Sequence, residues 1–389
     1  MLAHLFTALS ATLTLQPPTP SDPIVVTGTR LGDYRAALAA CLARACPPDQ
    51  DIDASAALAE ALFVNGDYHE ARTVLRQSIG RNRDQAALYP EPVSELYRAN
   101  GRVARHLGLD GDARHSARET LAALQAGLPQ EDHRHFTARL EIAESLIAFG
   151  EYGAARSELD RLASIARQAG RADVALAAEI RSIWATHLAA PDDPRTTVRL
   201  SRIAETAGSQ QPAAAVGARL MLARIYRDRG DSARSEAIMA ELARVSARRL
   251  LLHSPAYELV VREMRSNMGP EAGQAGSSQA PSAADLIRPI RISDNFEDRW
   301  VDVGFWISPD GRVRDLEIVR HSSSPDWADP LLASIRGRIY SASDRGPTYR
   351  LERYSYTAGF EARTGSHIPQ RSPQARVEYL DLSDVGTSR

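Results

Sequence analysis

The stretch NGDYHEA, Asn65 to Ala71, decides how most of the chain folds, because it recurs in altered form. DGDARHS (residues 110–116), FGEYGAA (149–155) and RGDSARS (229–235) align with it. In each, a glycine is followed by an acid, and five residues after the glycine stands a small residue: Ala71, Ser116, Ala155 or Ser235. The glycines Gly66, Gly111, Gly150 and Gly230 are 45, 39 and 80 residues apart, so the last interval holds two units of similar length, the hidden turn falling at APDDP (190–194). The glycine is predicted to end one helix in a left-handed cap. The acid caps or opens the next helix, where its charge suits the dipole, and the small residue lets that helix pack closely on the first. Leu75, Leu159 and Met239, four residues beyond three of the small positions, fall on the same buried stripe. Residues 38–266 are therefore predicted to form a stack of antiparallel helix pairs; the alternative is an irregular α-helical domain.

The turn resembles that of tetratricopeptide repeats, in which Gly-Asp-Tyr-x-x-Ala occupies this place, and residues 66–71 match it. The period near 40 departs from that family's 34 and implies longer helices or loops. Protein partners are what the resemblance implies.

Residues 267–284, NMGPEAGQAGSSQAPSAA from Asn267, are poor in large apolar side chains and read as a flexible linker. Beyond it the hydrophobic period changes from 3.6 to 2. In WVDVGFWISPDGRVRDLEIVRH, Val301, Val303, Phe305 and Ile307 alternate with the other face, residues 308–311 make a tight turn, and Val313 to Val319 return as a second strand. DWADPLLASIRGRIY reads as a helix with Asp329 at its cap and Pro330 in its first turn. The stretch from Tyr349 reads as a third strand, and ARVEYLDL near the end could add another. The fold class is thus α+β: an N-terminal α-solenoid of helix pairs, then a small β-β-α-β domain over residues 285–389. Asp310 to Val313 and Ser322 to Ser324 resemble the hairpin turn and serine pair of the C-terminal domain of the TonB family, the energy transducers of bacterial envelopes. That resemblance implies a sheet edge that captures an extended peptide. The edge is expected at Arg350 to Phe360, with Tyr349, Leu351, Tyr354 and Tyr356 as binding positions and Arg350, Glu352 and Arg353 discouraging indiscriminate pairing.

Residues 1–20 contain an apolar run from Leu5 to Leu15, short of the roughly 20 residues that cross a bilayer, and read as a secretory leader. Residues 21–37 are expected to be extended. Within them Ile24, Val25, Val26 and Thr27 resemble the box at the start of outer-membrane receptors energised through TonB, although the rest of the chain is unlike such a receptor. Cys41 and Cys46 lie just before Pro47 and Pro48; in an exported chain they close a small disulfide loop, or else stay as two buried thiols. A periplasmic location, with membrane association open, is the expectation that follows.

All 47 basic residues are arginine, which removes phosphate loops, Schiff bases and kinase sites that need lysine. A formal net charge of -2 with interspersed signs gives no basic patch for nucleic acid. His133 and His135 are two apart, so a helix points them in different directions, both toward solvent. No catalytic, metal or cofactor constellation is recognised, and none is expected, nor any small-molecule substrate. The expected function is a periplasmic protein–protein interaction scaffold with a TonB-like peptide-capturing domain, its partners envelope proteins or extended receptor peptides. The alternatives are a membrane-tethered transport accessory and a purely structural helical-repeat protein with a vestigial β-domain.

Overall fold

The computed structural model describes residues 30–208, 210–245, 251–253, 299–362 and 369–383. The leader, the box-like Ile24 to Thr27 and the linker at 267–284 lie outside the described residues. Eleven helices come first: α1 (Leu31–Ala43), α2 (Pro48–Asn65), α3 (Tyr68–Asn82), α4 (Pro90–His106), α5 (Asp110–Gly127), α6 (His133–Ala148), α7 (Tyr152–Gln168), α8 (Ala172–Ala189), α9 (Arg195–Ala207), α10 (Pro212–Asp228) and α11 (Ser232–Val245). From α2 onward they stack as antiparallel pairs, a helical repeat. Two boundaries are corrected. Helix begins at Leu31, inside the segment expected to be extended, where the Asp33 carboxylate accepts a hydrogen bond from the Arg30 amide and closes the first turn. At the other end, Leu251–His253 forms a short strand, β1, in a stretch read as helix.

Glycine terminates the first helix of three pairs as expected from the conformations it alone adopts cheaply: φ is 93° at Gly66, 75° at Gly150 and 80° at Gly230. Gly111 is a correction. It lies inside α5, and the left-handed residue of that turn is Gly108, φ 69°, with the Leu109 amide donating back to the Ala104 carbonyl. Counting from Gly108 brings the turns to 42, 42 and 80 residues apart and makes Ala113 the small residue, with Ser116 one turn further on the same buried face. Ala71, Ala155 and Ser235 are buried, as are Leu75, Leu159 and Met239. The APDDP segment joins α8 to α9.

The acids do less capping than expected. Asp231 accepts from the Arg234 amide, but Asp67 and Glu151 stand at N-cap positions without accepting a cap bond. Glu151 instead pairs with Arg114 of the preceding unit, and Asp112 with Arg72 of the unit before that. Cys41 and Cys46 form a disulfide, their Cα atoms 5.2 Å apart. The reversal comes from Ala45, at φ 51°, one residue earlier than the pre-proline position singled out in the sequence.

The C-terminal part is a four-stranded antiparallel sheet of β2 (Trp300–Ile307), β3 (Val313–His321), β5 (Thr348–Ala362) and β6 (Pro369–Asp381), in the order β3-β2-β5-β6. β4 (Ile339–Tyr340) pairs with β1 beside it. Val301, Val303, Phe305 and Ile307 face a core with Trp327, Leu331 and Ile335, the last two from α12 (Asp329–Arg336). Ala328, not Asp329, is the N-cap of this helix. The strand expected at the edge is covered where its partners overlap: β5 pairs with β2 from Thr348 to Ser355 and with β6 from Glu352 to Ala362, because the ARVEYLDL tail does pair. Among the described residues, no helix is long and apolar enough to cross a membrane.

Candidate interaction surfaces

The two parts of the chain are not held apart. The sheet face opposite α12 rests on the glycine turns of the first two helix pairs. Trp300 belongs to the helical core, alongside Phe63, Tyr68 and Leu107, and its ring lies where a β-carbon on Gly66 would stand, 2.5 Å away. Arg353 crosses the junction. Its side chain is wholly buried, forks onto the equally buried Asp302 (Nε to Oδ1 2.6 Å, Nη2 to Oδ2 2.9 Å), and donates to the carbonyls of Phe63 and Val64 at 2.7 Å each. Those carbonyls belong to the last turn of α2, where intrahelical donors run out, although Phe63 also receives the Gly66 amide at 3.0 Å. The next pair is treated alike: Arg371 donates to the Leu107 carbonyl at 3.0 Å, and Arg376 to that of Arg105 at 3.3 Å while pairing with Asp110 at 2.6 Å. The sheet thus supplies guanidinium caps to the C-termini of α2 and α4, where cations suit the helix dipole.

At the centre of the junction the Ser355 hydroxyl lies 2.9 Å from His106 Nδ1 and 3.0 Å from the Tyr68 hydroxyl. All three are buried, and Phe63 packs edge-on against the imidazole. Burial pushes the His106 pKa down to about 3, against the pull of Glu378, while Arg105, Arg353 and Arg102 also favour the neutral ring. A serine beside a neutral histidine in a sealed core has no route to substrate, so the group works as a polar lock. Its pH dependence has a definite sign. The unfolded histidine, with pKa near 6.5, takes up a proton that the folded one refuses, so stability is full above about pH 6.5 and declines by about 1.4 kcal/mol per unit as pH falls toward 3. Between pH 7 and pH 5 the wild type is expected to lose about 2 kcal/mol more than His106→Gln, measured by urea unfolding at each pH. Equal losses would remove His106 from this role.

The residues expected to bind peptide are split by strand alternation. Tyr354 and Tyr356 point into the core under α12, and Glu352 and Arg353 are buried; they cannot guard an edge. Tyr349 and Leu351 lie on the opposite face, Tyr349 exposed and packed at a tilt against Trp306, 5.2 Å between centroids. Tyr349 and Val319 close over Gly304, where a side chain would have to displace them. The outer strands are therefore β3 and β6. β6 contains Pro369 and Pro373, which interrupt a ladder. β3 contains no proline and has no partner on its outer side among the described residues. Its charged residues and the irregular register against β2, with Asp315 at φ 49°, are devices that discourage self-pairing. Nothing in the sequence distinguished β3 as the edge, since that depended on where β6 would pair.

Of the two histidines, His133 is exposed but His135 is buried, its Nδ1 3.2 Å from the Gln130 carbonyl. No group of three or more His, Cys, Asp or Glu side chains among the described residues could hold a metal.

No known protein family matches the chain, and no curated protein matches it. Solved structures do. A putative kinesin light chain from Podosopora anserina, described as nearly identical TPR-like repeats, is 16% identical and covers 51% of this chain and 96% of its own, with TM-score 0.40. BtubC (BKLC) from P. vanneervenii is 15% identical over 55% of this chain and 89% of its own, TM-score 0.41. The apo quorum sensor NprR from B. thuringiensis is 16% identical over 55% and 59%, TM-score 0.40. Likeness at this level extends to no ligand, partner or activity.

Proposed function

We propose that this protein is an exported, periplasmic interaction scaffold in which the helical repeats hold a small TonB-like sheet so that its β3 edge captures an extended peptide. The observation that carries this reading is the outer side of β3, unpaired among the described residues, in a sheet whose other outer strand carries two prolines. An added strand gains main-chain hydrogen bonds along such an edge, with side-chain contacts setting selectivity. The exposed Val319, Trp306 and Tyr349 offer those contacts beside it. Export is supported by the apolar N-terminal stretch and by the disulfide, which persists in oxidising compartments.

The test is a titration of the isotope-labelled full chain with a synthetic peptide of the sequence Asp22 to Arg30, followed by backbone amide resonances. Saturable shifts concentrated at Val313 to His321 are expected. Shifts confined to β6 or the helices, or none at millimolar peptide, would sink the edge-capture reading.

A further inference from the structure

The ion pairs between helix units point to a binding site of a different kind, one that does not rest on the strand-edge reading. Each buried alanine of the repeat turn, Ala71, Ala113 and Ala155, is followed by an arginine: Arg72, Arg114 and Arg156, at intervals of 42 residues. The first two are held by a carboxylate from the next unit's turn region, Arg72 by Asp112 and Arg114 by Glu151. Geometry would place the partner of Arg156 at the following turn, APDDP, where Asp193 stands. Asp193 is already committed. It accepts from the Arg195 amide at 2.9 Å and from the Arg195 guanidinium at 2.8 to 3.1 Å, closing the start of α9.

The third rung is consequently open. Arg156, an exposed residue, forms no hydrogen bond or ion pair among the described residues, and it borders a cavity of about 310 Å³, open to solvent, between α7, α8 and α9. The other charged groups in the wall are occupied. Arg195 holds Asp193, Arg199 pairs with Glu179 at 3.3 Å, and Asp160, one turn along from Arg156, accepts from the Ser182 hydroxyl at 2.8 Å. We infer that this cavity is a carboxylate-binding site in which Arg156 receives the acidic group that the next unit supplies to Arg72 and Arg114.

Arg195 and Arg199 already face Asp193 and Glu179, which leaves the Arg156 guanidinium to take the ligand. The planar guanidinium matches a carboxylate with two parallel hydrogen bonds. A glutamate or aspartate side chain of a peptide and a free dicarboxylate share that chemistry.

The full chain, labelled with ¹⁵N at arginine, separates them. With acetyl-Gly-Glu-Gly-amide as the probe, one Nε–H resonance, identified by its absence in Arg156→Gln, is expected to shift saturably, and the Gln-containing peptide should leave it in place. Saturation by the peptide assigns the site to acidic side chains; saturation by glutarate alone assigns it to free dicarboxylates. Either outcome supports the proposal. In Glu151→Gln, which frees Arg114, a second resonance should begin to respond to the same probes. The proposal is overturned if neither probe moves the Arg156 resonance saturably, or if the responding resonance persists in Arg156→Gln.

Discussion

Replacing Arg353 by methionine is expected to cost about 3–5 kcal/mol and to loosen the sheet from the repeats. The size follows from what the substitution strands. A buried ion pair adds little over a well-packed apolar pair, but removing one partner leaves the other charge without compensation at a cost of that order. Asp302 would keep Arg320, at 2.7 Å, so the charge itself is only partly abandoned. The Val64 carbonyl loses its donor as well, while that of Phe63 keeps the Gly66 amide at 3.0 Å. Methionine keeps most of the volume above the Trp300 ring, over which the guanidinium lies at 4.1 Å, so packing loss is a minor part. Urea unfolding gives the stability change, and hydrogen exchange of the β5 amides reports the junction. The double variant Arg353→Met with Asp302→Leu should recover part of the loss, because it removes the charge as well as its partner. A single variant within about 1 kcal/mol of wild type would mean the pair is solvated in solution.

The second large effect distinguishes two glycines with the same backbone role. Gly108 and Gly150 both lie at positive φ, and any β-carbon there costs about 1 kcal/mol. At Gly150 the space is open. At Gly108 the added carbon would enter the van der Waals shell of the Ala358 carbonyl oxygen. That oxygen is main chain, in a residue paired with Ala375 of β6 and accepting from Arg371, and cannot yield as a free side chain would; overpacking of this kind adds about 1–3 kcal/mol. Gly108→Ala is therefore expected to cost about 2–4 kcal/mol and Gly150→Ala about 1 kcal/mol, in the same unfolding measurement. Equal losses at the two sites would mean that the sheet is not seated on the turn at Gly108.

The helical repeats are legible in the sequence because their signals are local: a glycine, a small residue five positions on, and an apolar stripe. The one register error has a local cause too. Leu109 follows Gly108, so a rule seeking glycine before an acid passes over it and selects Gly111, although Ala113 satisfies the spacing from Gly108. The hairpin was legible for the same reason, through the alternation of Val301, Val303, Phe305 and Ile307. What could not be read is the junction. Arg353 and Arg376 look like surface residues until the Phe63 and Arg105 carbonyls, more than 270 positions away in the chain, are brought to them. Asp302 falls on the polar-looking side of its strand, where alternation alone implies solvent. β5 looked like an edge because its second neighbour lies beyond an intervening polar stretch, and pairing across such a gap leaves no periodic trace.

The guanidinium caps on α2 and α4 also have a consequence for synthesis on the ribosome, where a chain emerges from its N-terminus. The helices made first are finished last. Contacts within and between successive pairs are short in sequence and form early, so α6 to α11 can assemble as they appear. The Val64 and Leu107 carbonyls, at the ends of α2 and α4, must wait, open to water, until Arg353 and Arg371 have been translated. The final stretch of the chain therefore closes its beginning, and a molecule cut short before β5 lacks its own last strands and also the caps of its first two helix pairs.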